Sequence, residues 1–288
     1  MTSQTLPKTC IVFHFERTLT HRSINNYISY YDTFKKDELK TSPQYKDIHD
    51  ANLHKSFKNY LEKENVKLPD DQKKKIIGII MGSDFGNIQK LFDKLSEKKI
   101  PMYIMTENIQ SERVLKILDL LGWRKYFISI MDFLGTRILF EDDKSTITKN
   151  IFKYEHHDLT HTYFQDLLTK FNKIIHLDAN QQTHDKLIKH ISDLKSTLKH
   201  ETTCDNYDIY TIKTKEQKVV QYFFIKTLPK WTNGGITQKE ITSIYEILNL
   251  PNTSCPAQQP PPFIGGSNNL YHQKYLKYKS KYMLLKHN

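Results

Sequence analysis

Short apolar runs and helix-spaced apolar positions alternate along most of this chain. The first run, Thr9-Cys-Ile-Val-Phe-His14, is rich in strand formers and ends at a polar turn around Glu16 and Arg17, which predicts a buried first strand. From about residue 23 to residue 75 the chain becomes lysine- and tyrosine-rich. Leu53, Phe57 and Leu61 recur there every fourth residue, so a mostly helical insertion is expected. Ile88, Leu91, Phe92 and Leu95 then mark a helix face, followed by a strand at Ile100–Met105. Val114, Ile117, Leu118 and Leu121 mark the next helix, followed by a strand at Tyr126–Met131. A helix from about Lys149, another from Thr162 to Phe171, a strand at Lys173–Leu177, a helix at Gln182–Ser192 and a strand at Tyr207–Ile212 complete the series. Such alternation predicts a Rossmann-like α/β three-layer sandwich with a parallel sheet covered on both faces.

Thr237-x-x-Glu240 before Ile241, Ile244, Tyr245 and Leu248 is a capping-box signature for one more helix. Beyond it the composition changes. Residues 251–269, with Pro260-Pro-Pro262 and Gly265-Gly266, read as a linker, so the expected organisation is a domain over 1–250, a linker over 251–269 and a C-terminal helix over 270–288.

The chain of 288 residues carries a formal charge of +11, and the tail contributes Lys274, Lys277, Lys279, Lys281 and Lys286 with no acid. The body is therefore only moderately basic, which permits weak contact with nucleic acid or an anionic surface without requiring it. Cys10, Cys204 and Cys255 form no CxxC pair, which argues against a disulfide framework or a cysteine-built zinc site and fits an intracellular setting. No apolar run is long enough to predict a transmembrane segment. Gly82-Ser-Asp-Phe-Gly86 lacks the spacings of phosphate-cradling loops, so a dinucleotide or P-loop site is disfavoured. His156-His157-Asp158-x-x-His161 and Glu141-Asp142-Asp143 read as solvated polar segments.

In an open parallel sheet the chemistry gathers beyond the carboxyl ends of the strands. There the sequence places His14 and Glu16, Thr106, and Asp178. Ile11-Val-Phe-His-Phe-Glu-Arg-Thr-Leu-Thr20 resembles the first motif of haloacid dehalogenase-like (HAD-like) phosphatases, Asp-x-Asp-x-Thr at the end of a strand, with His14 and Glu16 in place of the aspartates. Thr106 in Tyr103-Ile-Met-Thr-Glu-Asn108 matches the second motif. Lys149 in Thr148-Lys-Asn-Ile-Phe152, with Lys144 as its rival, matches the third. Ile175-His-Leu-Asp-Ala-Asn180 resembles the fourth, with Asp178 present and Ala179 in place of its neighbour. The resemblance spans roughly residues 8–212, and the insertion at about 23–75 stands where that family often carries a helical cap.

The resemblance implies that the first position attacks phosphorus and ligates magnesium, while the second protonates the leaving group and activates water. His14 serves neither role in that way, because imidazole is a poor ligand for a hard, oxygen-seeking ion. Glu16 keeps an acid but displaces it by a methylene, and an error of about 1 Å costs roughly a hundredfold in rate. Glu16 and Asp178 are the oxygen ligands left to any metal, and Thr106 with a lysine would still bind phosphate.

In the tail, Tyr271, Tyr275, Tyr278 and Tyr282 make a heptad-like stripe beside a row of lysines, which suits docking to a protein partner. The phrase from Gly265 to Tyr282 is similar to C-terminal tails of proteins of amoeba-infecting giant DNA viruses. The expectation is thus an inactive or impaired HAD-like phosphatase homologue, acting as a binding or virion-associated protein in the host cytoplasm or viral factory. No cofactor is expected. The alternatives are a divergent phosphomonoester hydrolase using magnesium, and a histidine nucleophile or soft-metal site built from His14, Glu16 and Asp178.

Overall fold

The computed structural model describes residues 8–20, 24, 28, 50–81, 85–106, 109–132, 136–140, 147–151, 159–193, 197–227 and 235–249. Their strands are β1 (Thr9–His14), β2 (Met102–Thr106), β3 (Phe127–Asp132), β4 (Thr136–Phe140), β5 (Ile147–Ile151), β6 (Lys173–Asp178), β7 (Thr197–Thr203), β8 (Tyr207–Lys213) and β9 (Val219–Lys226). Their helices are α1 (Ala51–Glu62), α2 (Asp70–Met81), α3 (Phe85–Glu97), α4 (Ser111–Leu121), α5 (Leu159–Lys170), α6 (Gln181–Asp193) and α7 (Gln238–Asn249). All belong to a unit spanning Met1–Cys255, and Pro256–Asn288 forms a second unit. The linker and tail expected over 251–288 lie outside the described residues.

The strands join in one nine-stranded sheet, ordered β5-β4-β3-β2-β1-β6-β9-β8-β7. The central strands β3, β2, β1, β6 and β9 run parallel. Side chains alternate across it: Ile11 and Phe13 of β1 pack with α3 and α4 on one face, and Cys10 and Val12 pack with α5 and α6 on the other. A strand covered on both faces must be apolar throughout, which is why the first run stands out in the sequence. This is an α/β fold with helices on both faces of the sheet, compatible with a Rossmann-like arrangement.

At both margins the sheet departs from the parallel expectation. β4 and β5 add antiparallel to β3, and β7 and β8 add antiparallel to β9. The links explain it. Cys204 to Asn206 join β7 to β8, and a turn closed by the Thr214 N–H on the Lys218 carbonyl (2.9 Å) joins β8 to β9. Parallel neighbours need a crossover of about a dozen residues or more, so such links allow only hairpins. β9 then returns the chain to the centre beside β6.

The helix expected from about Lys149 is replaced by the edge strand β5. Ile147, Thr148 and Ile151 are β-branched, favour extended backbone, and find a partner in β4. The other helices expected within the described residues form, and α7 carries its capping box: the Thr237 N–H donates to Glu240 Oε2 at 2.8 Å.

The described part of the 23–75 insertion is mostly helical. Ile24 and Ile28 are helical and buried, and α1 and α2 follow. Residues 29–49 lie outside the described residues. Leu53, Phe57 and Leu61 join the buried core that holds Ile11 and Phe13, so this part is a layer on the sheet rather than a separate body. Its seam with α4 is polar. The Tyr60 hydroxyl donates to the Lys116 carbonyl at 2.8 Å, and Lys116 Nζ donates to the carbonyls of Tyr60, Leu61 and Lys63 at 3.1, 3.1 and 3.0 Å. Those carbonyls lie at the end of α1, where a cation meets the negative end of the helix dipole.

Cys10 is free and buried, whereas Cys204 is disulfide-bonded, a crosslink that the cysteine spacing does not predict. Among the described residues no helix is long and apolar enough to cross a membrane.

Candidate functional site

β1 ends at His14, and the chain then winds through Phe15–Leu19 in a tight turn closed by the Thr20 N–H on the Phe15 carbonyl at 3.2 Å. Within it Arg17 takes a left-handed backbone, φ 62°, at a cost of about 1–3 kcal/mol for a residue with a side chain. Three contacts hold the turn there. The Arg17 N–H donates to Thr20 Oγ1 at 3.3 Å, the Gly235 N–H donates to the Arg17 carbonyl at 3.1 Å, and the Ala179 N–H donates to Thr18 Oγ1 at 3.1 Å. Thr18 Oγ1 also lies 3.3 Å from Thr227 Oγ1, and the Thr227 N–H donates to the Asp178 carbonyl at 3.0 Å. The turns that follow β1, β6 and β9 are therefore tied together at the carboxyl edge of the sheet.

His14, Glu16, Thr106 and Asp178 all lie at that edge, His14 and Glu16 3% exposed and Thr106 and Asp178 0%. His14 Nδ1 is 3.2 Å from the Glu16 carbonyl oxygen and 3.7 Å from Asp178 Oδ1. A carbonyl only accepts, so that hydrogen bond requires the proton on Nδ1 and leaves a lone pair on Nε2 of the neutral ring. Asp178 Oδ1 also accepts the Asn180 N–H at 2.8 Å, which fixes its carboxylate toward the turn. His14 stands opposite Met105 in the register, so Thr106 is one residue further along the neighbouring strand. Among the described residues, His14 Nε2 and Thr106 Oγ1 are buried without a hydrogen-bond partner.

Lys149 is not brought to this site. The register runs Phe13, Ile104, Ile130, Ile138, Lys149 from β1 outward to β5. Four strand spacings of about 4.8 Å put roughly 19 Å between β1 and β5, well beyond a lysine's reach. Lys144, the His156–His161 motif apart from the helix position of His161, and Glu141–Asp143 lie outside the described residues. Lys226, at the end of β9 opposite Asp178, is an exposed lysine at the same edge.

On the face under α6 a row of aromatic and imidazole groups backs the site. His176 Nδ1 lies 2.8 Å from the Tyr222 hydroxyl, and both residues are fully buried. The His184 ring stacks on Phe224, with centroids 3.7 Å apart and planes at 16°. Burial pushes the His176 imidazole well below its ordinary value, with the nearby His184 and His14 adding to the shift. Burial brings His184 down to about 4, against smaller upward pulls from Asp185 and Asp208. The same burial raises the Tyr222 phenol well above its usual range, and the Asp178 charge adds to it. Both imidazoles are neutral at physiological pH.

The residues do not fit the magnesium that the family resemblance implies. A nitrogen donor, His14, stands where that site needs an oxygen, and the buried methyl of Ala179 stands where it needs a second acid. Among the described residues no three His, Cys, Asp or Glu side chains gather as a metal-binding group. What the site offers is an imidazole backed by a carbonyl and a carboxylate, with Glu16 and Thr106 at the same sheet edge.

No protein-family profile and no curated protein matches the chain. Among solved structures, that of DsGPDH of Dunaliella salina aligns at 14% identity and a TM-score of 0.30 over 59% of this chain. The aligned part spans 27% of that protein. A likeness of that size carries no argument about fold or activity.

Two residues of the site are not singled out by the sequence. Thr18 closes the quoted motif, and its place there was the available signal. His176 looks like an interruption in an apolar strand, and only the fold reveals its partner, Tyr222 on β9.

Proposed function

We propose that this protein is a HAD-like phosphatase homologue in which hydrolysis is lost or severely impaired, and which uses the edge site to hold a phosphate-bearing ligand. The observation that carries this reading is the pairing of His14 Nδ1 with Asp178 Oδ1 at 3.7 Å beside the buried Ala179. An aspartate that ligates magnesium is replaced by an imidazole whose Nδ1 faces a carbonyl and a carboxylate, so the aspartyl-phosphate route and the metal ligand are lost together. Oxyanion binding needs neither role. The Thr106 hydroxyl, buried at this edge without a partner among the described residues, would donate to a phosphate oxygen without a metal.

The tail belongs to this reading as a docking element. Its tyrosine stripe would anchor in a groove of a protein partner with the lysines at the rim, and a virion of a giant DNA virus, or its factory in the host cytoplasm, is the setting its sequence favours. Weak attraction to nucleic acid or an anionic surface would follow from its charge.

The test uses the purified full chain with a generic phosphomonoester and magnesium, alongside titration with inorganic phosphate followed by imidazole NMR. The expected result is turnover close to the buffer rate and a phosphate-dependent shift of the His14 resonances. Brisk magnesium-dependent turnover that disappears in His14→Ala would overturn the reading in favour of a divergent phosphomonoester hydrolase.

A further inference from the structure

We propose that His14 Nε2 is a phosphoryl-acceptor nitrogen, charged by a small acyl phosphate and holding the group as a phosphoimidazole. The proposal rests on the reading of this edge as a phosphate site and deepens it.

Nucleophilic attack by an imidazole needs three things: the attacking nitrogen deprotonated, the ring held in one orientation, and the cation formed on attack stabilised. The Nδ1 contacts meet all three. The hydrogen bond to the Glu16 carbonyl at 3.2 Å keeps the proton on Nδ1, so the lone pair is on Nε2. The same contact, with the tie between Thr18 and Ala179, fixes the ring at the end of β1. Once Nε2 bonds to phosphorus the ring is an imidazolium, and the Asp178 carboxylate, with Oδ1 3.7 Å from Nδ1, lies beside its charge.

The acceptor nitrogen has no hydrogen-bond partner among the described residues, and neither does the Thr106 hydroxyl on the neighbouring strand. The balance is simple. The Nε2 lone pair forms the N–P bond as the P–O bond to the acyl group breaks, and the departing carboxylate keeps the electron pair. No proton need move, and no metal or oxidant is required. With an acyl phosphate the leaving group is a weak base, so the missing magnesium is less costly than for an alkyl phosphate.

Three other described histidines, His176, His184 and His200, are held differently. His176 is bonded to Tyr222 and lies 5.8 Å, ring to ring, from Phe224. His184 is stacked flat on Phe224. His200 is exposed on the edge strand β7, with Nε2 3.2 Å from the Thr203 hydroxyl, and serves as the control for adventitious surface reaction.

The experiment incubates the full chain with acetyl phosphate at neutral pH and follows acid-labile, alkali-stable phosphorylation by phosphorus NMR, mapping it by mass spectrometry. The expected result is a single label on His14 that persists in His200→Ala and is absent in His14→Asn. Asp178→Asn, checked for an unchanged thermal melt, should slow labelling about tenfold, as expected for loss of one charged partner. If His14→Asn or Asp178→Asn does not fold, the mapped position on the native chain decides alone. No label, or a label on His200 or another residue, overturns the proposal. Inorganic phosphate binding measured on the same sample separates the two failures. Binding without labelling removes the acceptor role and leaves the phosphate site standing, and absence of both removes the two together.

Discussion

The hydroxyl of Thr18 accepts the backbone N–H of Ala179 at 3.1 Å, across 161 positions of sequence. That bond ties the wound turn after β1 to the turn after β6, and so fixes the separation of His14 and Asp178. A buried N–H left without its acceptor costs about 1–3 kcal/mol. Thr18→Val should therefore destabilise the protein by about that amount in denaturant melts, and Thr18→Ser should keep most of it. Equal stability of Thr18→Val and the native chain would show that the tie contributes nothing.

Restoring the acids tests the motif assignment directly. The combined variant His14→Asp, Glu16→Asp and Ala179→Asp should show magnesium-dependent phosphomonoester hydrolysis above that of the native chain, because it rebuilds a hard-oxygen site at the sheet edge. His14→Asp with Glu16→Asp alone should fall short of it, since Ala179 leaves one acid missing. The measurement is initial rate against magnesium concentration for well-folded variants. Triple-variant rates indistinguishable from native would count against the alignment of these positions with the family's motifs.

Acid should unfold the protein through its buried imidazoles. His184 takes a proton at about pH 4 when folded and near pH 6.5 when unfolded, so between those values the unfolded chain binds the proton that the folded chain refuses. Stability is thus full above about pH 6.5, falls as pH drops, and levels off below pH 4, a loss on the order of 3 kcal/mol from this group. His176, held well below its ordinary value by burial, adds to the loss in the same direction. Melting temperature against pH should slope less steeply over this window in His184→Gln than in the native chain. Parallel slopes would show that other groups set the acid limit.

Lys218 closes the end of α5. Its Nζ donates to the carbonyls of Leu168 and Thr169 at 2.8 Å and to that of Phe171 at 2.9 Å. Desolvation lowers its pKa, yet three carbonyls at the negative end of a helix favour the cation. Lys218→Met keeps the stem and removes the donors, and should cost about 1–2 kcal/mol in a denaturant melt. Lys218→Arg should recover part of it.

Removing residues 270–288 should leave the melting temperature within about 2 °C of native, because a proline- and glycine-rich stretch separates them from the folded unit. The same deletion should abolish pull-down of a protein partner from virion or infected-cell extract. Identical pull-downs would remove the docking role. Binding lost at modest salt would point to phosphates or lipid instead.

Much of the fold is written in local pattern. The apolar run Thr9–His14, the helix-spaced residues of α3, α4 and α6, and the Thr237/Glu240 box each specify their element, because burying an apolar stripe and satisfying helix-end N–H groups are local requirements. The sequence by itself also placed His14, Glu16, Thr106 and Asp178 after strands, hence at one edge of a parallel sheet. The tertiary structure alone decided that Lys149 lies on β5, away from the site, because strand or helix for Ile147–Ile151 depends on β4 offering a partner. It alone decided that β9 returns between β6 and β8 and sets Tyr222 against His176. Strand order and the partners of buried polar groups are set by pairings between distant segments, and no local spacing encodes them.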